Sequence, residues 1–294
     1  MMPSRQHEAL VQALRAAPIT AAPTLAEQRA GYDATLGANP VPEDVIALPV
    51  SAGDVPAYLV SVRGVSPRLT ILYLHGGGYV IGSHTGYREF AGRLARATQA
   101  TVCVPDYRLA PEHPWPAAVN DAVAAVRWLR QQGASNLIIA GDSAGGGLAM
   151  ATLLALRAAG DPMPEGAIGL SPWVDLTGSG ASLAPGLIDD PLVSAAAIGG
   201  MATMYAGTNL RDPLVSPLYG DLHGLPRLFI LVGTREVLLD DSRRLESKAR
   251  AAGVDVTYFE GKDLIHVWPV LTPDAPESIN ALAQISAFVE ACLT

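Results

Sequence analysis

The chain has 294 residues, 49% of them apolar and 16% charged, and carries a formal net charge of −8. That apolar content supports a large folded core and excludes a disordered chain, while the negative charge excludes nucleic acid or an anionic membrane as the main partner. The length suits one large α/β domain or two small ones.

The chain opens with helical spacing over about Ser4 to Ala17 (His7, Leu10, Val11, Leu14) and again from Thr24, an N-cap residue, to Leu36. Charged side chains at Arg5, Glu8, Arg15, Glu27 and Arg29 interrupt any signal-peptide core. Val45–Val50 and Val55–Val62, joined across Ser51 to Asp54, read as an antiparallel hairpin, and Leu69–Leu74 as a buried strand. Strand–helix alternation follows: a helix near Tyr87–Thr98, a strand at Thr101–Pro105, a helix at Ala117–Gln132, the strand at Leu137, a helix from about Gly146, and a strand at Ala167–Leu170. Later come a strand at Arg227–Val232, a helix at Asp241–Ala252, a strand at Val254–Phe259 and a closing helix at Pro276–Cys292. Solidly apolar strands in such alternation mean a mostly parallel sheet covered by helices on both faces. Residues 173–219 break the rhythm with four prolines and a helical piece near Ser194–Tyr205, and read as a cap insertion. No apolar run reaches the roughly eighteen residues of a membrane span. Cys103, inside a strand, and Cys292, near the end, read as reduced thiols of a cytoplasmic protein rather than a disulfide framework.

Two glycine-rich turns carry the chemistry. Leu137-Ile138-Ile139-Ala140 runs into Gly141-Asp142-Ser143-Ala144-Gly145, a G-x-S-x-G match between a strand and a helix. That context makes a nucleophile elbow: a tight turn presents the Ser143 hydroxyl, and the helix start behind it offers backbone N–H groups and a positive dipole end. Gly141 and Gly145 are required where a Cβ would strike neighbouring backbone. The second turn, His75-Gly76-Gly77-Gly78-Tyr79, follows the third strand. It fits neither the dinucleotide nor the P-loop pattern, so it reads as an oxyanion hole in which Gly77 and Gly78, with Ala144, donate backbone N–H groups. His75 then serves to hold the loop.

These two motifs, with Asp106-Tyr107-Arg108-Leu109-Ala110-Pro111-Glu112, Ser171-Pro172-Trp173-Val174-Asp175-Leu176 and His266-Val267-Trp268, resemble the bacterial hormone-sensitive-lipase-like esterases from about Val45 onward. The resemblance implies an α/β-hydrolase fold with a helical cap. Residues 1–44 and 173–219 would build the cap, and residues 45–172 and 220–294 the catalytic domain. It implies carboxylesterase activity on short- to medium-chain acyl esters, a small-molecule substrate, no cofactor and no metal, and a homodimer through the last strand and helix as one expected state.

A serine needs a base, and on this fold the order is Ser, acid, His. His266, just past a strand, is the candidate base; His223 lies in a Gly/Pro-bounded loop, and His7, His84 and His113 read as solvated or structural. The acid belongs after the strand ending at Val232. Glu236 matches the position where the resembling proteins carry Asp or sometimes Glu, whereas Asp240 and Asp241 read as an N-cap and first-turn charges. Tyr79, Trp173 and Tyr205 are the candidate substrate-binding side chains, with Val80, Leu176, Leu187, Leu192 and Met201 also available, though each reads equally as core. An amidase or peptidase with the same triad, or a non-catalytic ligand-binding member of the fold, are the competing readings.

Overall fold

The computed structural model describes residues 3–16 and 23–294. Helices α1 (Arg5–Ala16) and α2 (Leu25–Leu36) lead into strands β1 (Val45–Ala52), β2 (Val55–Val62) and β3 (Thr70–Leu74). Alternation then gives α3 (Arg88–Thr98), β4 (Thr101–Pro105), α4 (Ala117–Gln131), β5 (Leu137–Asp142), α5 (Ala144–Ala159) and β6 (Gly166–Leu170). After a long connection holding α6 (Ala195–Ala206), the chain closes with β7 (Arg227–Gly233), α7 (Leu239–Ala251), β8 (Val256–Gly261), α8 (Trp268–Leu271) and α9 (Pro276–Cys292).

The eight strands form one sheet in the order β1-β2-β4-β3-β5-β6-β7-β8. Strand β2 runs antiparallel to both β1 and β4, and the neighbours from β4 to β8 are parallel. Alternate side chains of each strand enter opposite cores: Leu72 and Leu74 pack with α4 and α5, while Ile71 and Tyr73 pack with α3 and α9. This two-sided burial explains why β3 and β5 carry no polar alternation, each full burial of a large aliphatic side chain contributing about 1.5–3 kcal/mol. The hairpin turn is shorter than its sequence suggested. Ala52 pairs with Val55, so Gly53 and Asp54 alone make it, at φ 65° and 70°, the mirror-image turn that matches strand twist.

Sheet order fixes where the site must lie. From β3 the chain steps outward to β4, then returns to place β5 on the other side of β3. The connections after β3 and β5 therefore diverge, leaving a crevice beyond their carboxyl ends where ligands bind in such sheets.

Three element edges differ from the sequence reading for local reasons. Helix α5 starts at Ala144, not near Gly146, because the Ser143 carbonyl already accepts the Gly147 N–H (3.1 Å). Strand β8 starts at Val256, since the Val254 N–H is spent on the Ala249 carbonyl at 3.0 Å. Helix α7 starts at Leu239, which puts Asp240 and Asp241 inside its first turn and leaves Leu238 as N-cap without a side-chain bond. Asp240 is therefore not an N-cap.

Two outlying segments are tied to this body by polar contacts. In α1, the Ser4 N–H and hydroxyl before it donate to Glu277 of α9 (3.1 and 2.9 Å), beside a fully buried His7. In α2, which starts from the expected Thr24 with a complete capping box, Arg29 donates to the carbonyls of Val80 (2.9 Å) and Ala110 (3.0 Å) and pairs with Glu112. The connection between β6 and β7 is stitched to α7. Asp241 accepts the Val174 and Asp175 N–H groups (2.9 and 2.8 Å), Asp240 accepts the Ser182 N–H (3.1 Å), and Arg244 pairs with the buried Asp175 (2.8 Å). Asp241 is wholly buried and its second oxygen has no partner among the described residues.

Burial raises the Asp241 pKa to about 7, only partly opposed by its two backbone N–H bonds. An acid held protonated in the fold but ionised when unfolded favours folding less as pH rises from the unfolded pKa near 4 to the folded one near 7. Asp241→Asn, which keeps the acceptor and cannot ionise, is expected to raise the thermal midpoint at pH 8 and to converge with the parent near pH 4. A pH-independent difference between the two melting curves would refute this.

Candidate active site

Ser143 sits at the end of β5 with φ 52° and ψ −122°, a conformation L-residues adopt only under constraint. The constraint is visible. Its N–H donates to Leu170 of β6 (2.9 Å), and its carbonyl accepts from Trp173 (2.9 Å) as well as Gly147. A Cβ on Gly141 would overlap the Gly145 carbonyl, and one on Gly145 would overlap the carbonyls of Leu74 and His75. Both glycines are thus demanded by packing between β3, β5 and α5. From Leu137 to Leu154 every residue is buried except Ser143. Chain that tightly packed presents a single accessible hydroxyl.

The second turn lies against the first. Gly77 and Gly78 take φ 110° and 62°, and a Cβ on either would collide, with the Ile81 carbonyl and with Met201 of α6 respectively. Among the described residues no acceptor takes the N–H of Gly77 or Gly78, and Ala144 heads a helix whose first N–H groups lack intrahelical partners. Within Ile71–Val80, Gly77 alone is incompletely buried.

What locks the two turns together is Asp142, a variable position of the G-x-S-x-G motif. Its carboxylate, fully buried, accepts from the Tyr73 hydroxyl (2.8 Å), the Gly76 N–H (3.0 Å) and the Tyr87 hydroxyl (2.9 Å). Burial lifts its pKa to about 6, with both tyrosine hydrogen bonds pulling the other way. His75 donates from Nδ1 to the Gly76 carbonyl (2.8 Å) and stacks on Tyr107, whose hydroxyl donates to the His75 carbonyl (2.7 Å). Burial drives the His75 pKa down to about 4, so it is a neutral brace for the loop.

Glu236 and His266 meet beside β6. His266 Nδ1 donates to Glu236 Oε1 at 2.9 Å, both residues being buried. The other Glu236 oxygen accepts from the Gly233 N–H (2.8 Å) and the Ser171 hydroxyl (2.7 Å), and Ser171 Oγ in turn accepts the Val267 N–H at 3.1 Å. Ser171, at φ 49° directly after β6, ties the acid loop to the histidine loop. In the sequence Ser171 carries one signal for this role, its place at the end of a strand. Burial alone would lower the His266 pKa. The Glu236 carboxylate outweighs that, Asp190 and Asp142 add to it, and the imidazole is held above its ordinary value. With Nδ1–H committed to Glu236, Nε2 is the nitrogen free to take a proton, and among the described residues neither it nor Ser143 Oγ has a hydrogen-bond partner. The same pull links His266 to Asp142, the residue preceding Ser143.

Asp240, the competing acid, faces Ser182 instead of the imidazole. Of the remaining histidines, His113 and His223 are exposed, His84 pairs with Asp106 (3.0 Å) and His7 is buried against Glu277. Tyr79 and Tyr205 stack face to face at 3.8 Å between ring centres, and Trp173 lies 6.2 Å from Tyr79. Trp173, Leu176, Leu183 and Ile198 line an apolar cavity of about 250 Å³. Leu187 and Leu192 are exposed instead, at 63% and 39%.

No helix among the described residues is long and apolar enough to cross a membrane, and no cluster of His, Cys, Asp or Glu among them suits a metal ion. Residues 71–270 match a family described as alpha/beta hydrolase fold. The chain is 48% identical to an acetyl-hydrolase of Streptomyces hygroscopicus, over 75% of each chain. It is 37% identical to an esterase of Acinetobacter venetianus, over 79% of this chain and 80% of that one. Among solved structures, an esterase from the bacterial hormone-sensitive lipase family superposes with a TM-score of 0.95 at 40% identity, covering 100% of both chains.

The geometry generates a discriminating pair of variants. Glu236→Gln removes the charge and the tautomer control of the imidazole, and is expected to lower kcat on p-nitrophenyl butyrate by about 10⁴-fold. Asp240→Asn should leave kcat within about threefold. The opposite ranking would move the acid to Asp240.

Proposed function

The chain belongs to the α/β-hydrolase-fold family and, within it, to the hormone-sensitive-lipase-like esterases; from that premise we propose that it cleaves short- to medium-chain acyl esters through a Ser143–His266–Glu236 triad. The observation that carries this reading is the buried 2.9 Å bond from His266 to Glu236, on the same sheet edge as a strained, accessible serine.

Ser143 Oγ attacks the ester carbonyl as His266 Nε2 takes its proton, and Glu236 orients the imidazole and stabilises its cation. The tetrahedral oxyanion lies against the N–H groups of Gly77, Gly78 and Ala144, each such donor contributing about 3 kcal/mol to the transition state. His266 then returns the proton to the leaving alcohol, giving an acyl-enzyme. Water, deprotonated by His266, attacks that ester, and collapse releases the carboxylic acid and restores Ser143. The chemistry calls on no cofactor.

Residues 1–44 and 173–219 form the cap in this reading. Arg29 braces the oxyanion loop from one side, and Met201 and Tyr205 of α6 cover it from the other. Of the three candidate substrate-binding side chains, Trp173 walls the cavity that receives the acyl or alcohol chain, while Tyr79 and Tyr205 are buried and stack on each other. The acetyl-hydrolase relative sits at the short end of the proposed range. Unpaired Cys103 and Cys292 fit a reducing, cytoplasmic setting.

Two measurements test the proposal. Ser143→Ala should lower kcat by roughly five to six orders of magnitude and abolish labelling by an organophosphate. Along a p-nitrophenyl ester series, kcat/KM should rise by up to about fourfold per methylene, then fall once the cavity is full. Retained activity in Ser143→Ala, or a preference for long insoluble triglycerides, would reject it. The acid limb of kcat/KM should also lie above the ordinary histidine pKa of about 6.5, because a base must be neutral to work and this imidazole is held cationic to higher pH.

A further inference from the structure

Both neighbours of Glu236 are held by consecutive aspartates from the connection between β6 and β7. Asp190 Oδ2 accepts the Val237 N–H at 3.0 Å, while its Oδ1 accepts the Leu192 and Val193 N–H groups at 2.9 and 3.0 Å. Asp189 pairs with Arg235 (3.7 Å) on the other flank of Glu236, and with Arg15 of α1. The Ser182 hydroxyl donates to the Val237 carbonyl at 2.5 Å, so this one peptide segment is gripped at both its N–H and its C=O. The acid loop is also bonded to the histidine loop, Arg235 N–H to the Leu264 carbonyl (3.0 Å) and Asp263 N–H to Thr234 Oγ1 (2.8 Å).

We propose that Asp190 is a positioning residue, through which the seating of residues 173–219 is transmitted to the Glu236–His266 pair. This rests on the triad reading above and adds a residue to it. Two effects act through one carboxylate. Its bond to Val237 fixes the backbone next to Glu236, and its negative charge favours the cationic imidazole. The charged groups facing His266 are Glu236 from the loop after β7, Asp142 from the end of β5, and Asp190 itself. Those flanking the Asp190 contact are Asp189, Arg235 and Arg15. An unseated cap segment would withdraw both effects together, so the hydrolytic machinery is complete only when the segment is docked.

The test compares wild type, Asp190→Asn, Asp190→Ala and Asp190→Glu on p-nitrophenyl butyrate from about pH 5 to 9, with kcat and KM resolved and thermal midpoints measured. Asp190→Asn keeps the shape and loses the charge. It should lower kcat roughly ten- to a hundredfold with KM little changed, and should move the acid limb to lower pH, since removing a negative charge makes the imidazolium easier to deprotonate. Asp190→Ala should lose more, and Asp190→Glu should recover part of kcat and of the acid limb. A fall in thermal midpoint with kcat and acid limb unchanged in Asp190→Asn would overturn the proposal, leaving Asp190 a structural tie. If Asp190→Ala fails to fold, the isosteric Asp190→Asn carries the comparison. Glu236→Gln serves as the control: activity retained there removes the pair that Asp190 would position, whereas activity lost there with Asp190→Asn silent rejects this inference alone.

Discussion

A carboxylate taken out of water must be given hydrogen bonds in exchange, and at the rim of this sheet two are. Asp142 and Glu236 are each fully buried, a position that costs several kcal/mol unless their oxygens are occupied. Each is occupied by groups from far along the chain: Tyr73, Gly76 and Tyr87 for Asp142, and Ser171, Gly233 and His266 for Glu236. The demand for donors thus draws the connections after five strands, β3, β5, β6, β7 and β8, to one edge. Asp142 fixes the glycine loop to the serine turn, and Glu236 fixes the histidine to the end of β6. Geometry at the hydroxyl follows from those two acids together with the backbone bonds that Ser143 makes to Leu170, Trp173 and Gly147.

Much of this was readable beforehand because it depended on local pattern. Apolar strands, the two glycine turns and the N-cap at Thr24 each obey rules spanning fewer than about a dozen residues. Gly141 was legible for the same reason, since it answers to the Gly145 carbonyl within its own strand–turn–helix unit, whereas Gly145 answers to Leu74 and His75 at the end of the neighbouring strand. His266 stood out by its place just past a strand, and Glu236 by the family resemblance, since Asp240 and Asp241 share its loop after β7.

What escaped notice depended on pairing across long separations. Asp142 reads as an arbitrary middle letter until Tyr73 and Tyr87 are folded onto it. Ser171 differs in no visible way from other serines until the loops after β6, β7 and β8 converge. Asp241 shows the same limit from the opposite side, since a helix-start acid normally faces water, and here the Val174–Asp175 backbone covers it. Propensity assigns such a residue its usual place, and tertiary packing reassigns it.

The bonds from Ser4 to Glu277 carry a consequence for the order in which the molecule is assembled. The partners are 273 positions apart, and at roughly 5–20 residues per second of translation the first waits on the order of 15–55 s for the second. The partners of Arg29, Val80 and Ala110, are in contrast made about 3–16 s after it. A nascent chain therefore holds the partners of its clasp on the glycine loop early, while the face of the first helix bearing His7 and Val11 waits for α9 to be made. During that interval the first helix lacks the cover that the folded chain gives His7 and Val11, so its docking is a late step in maturation.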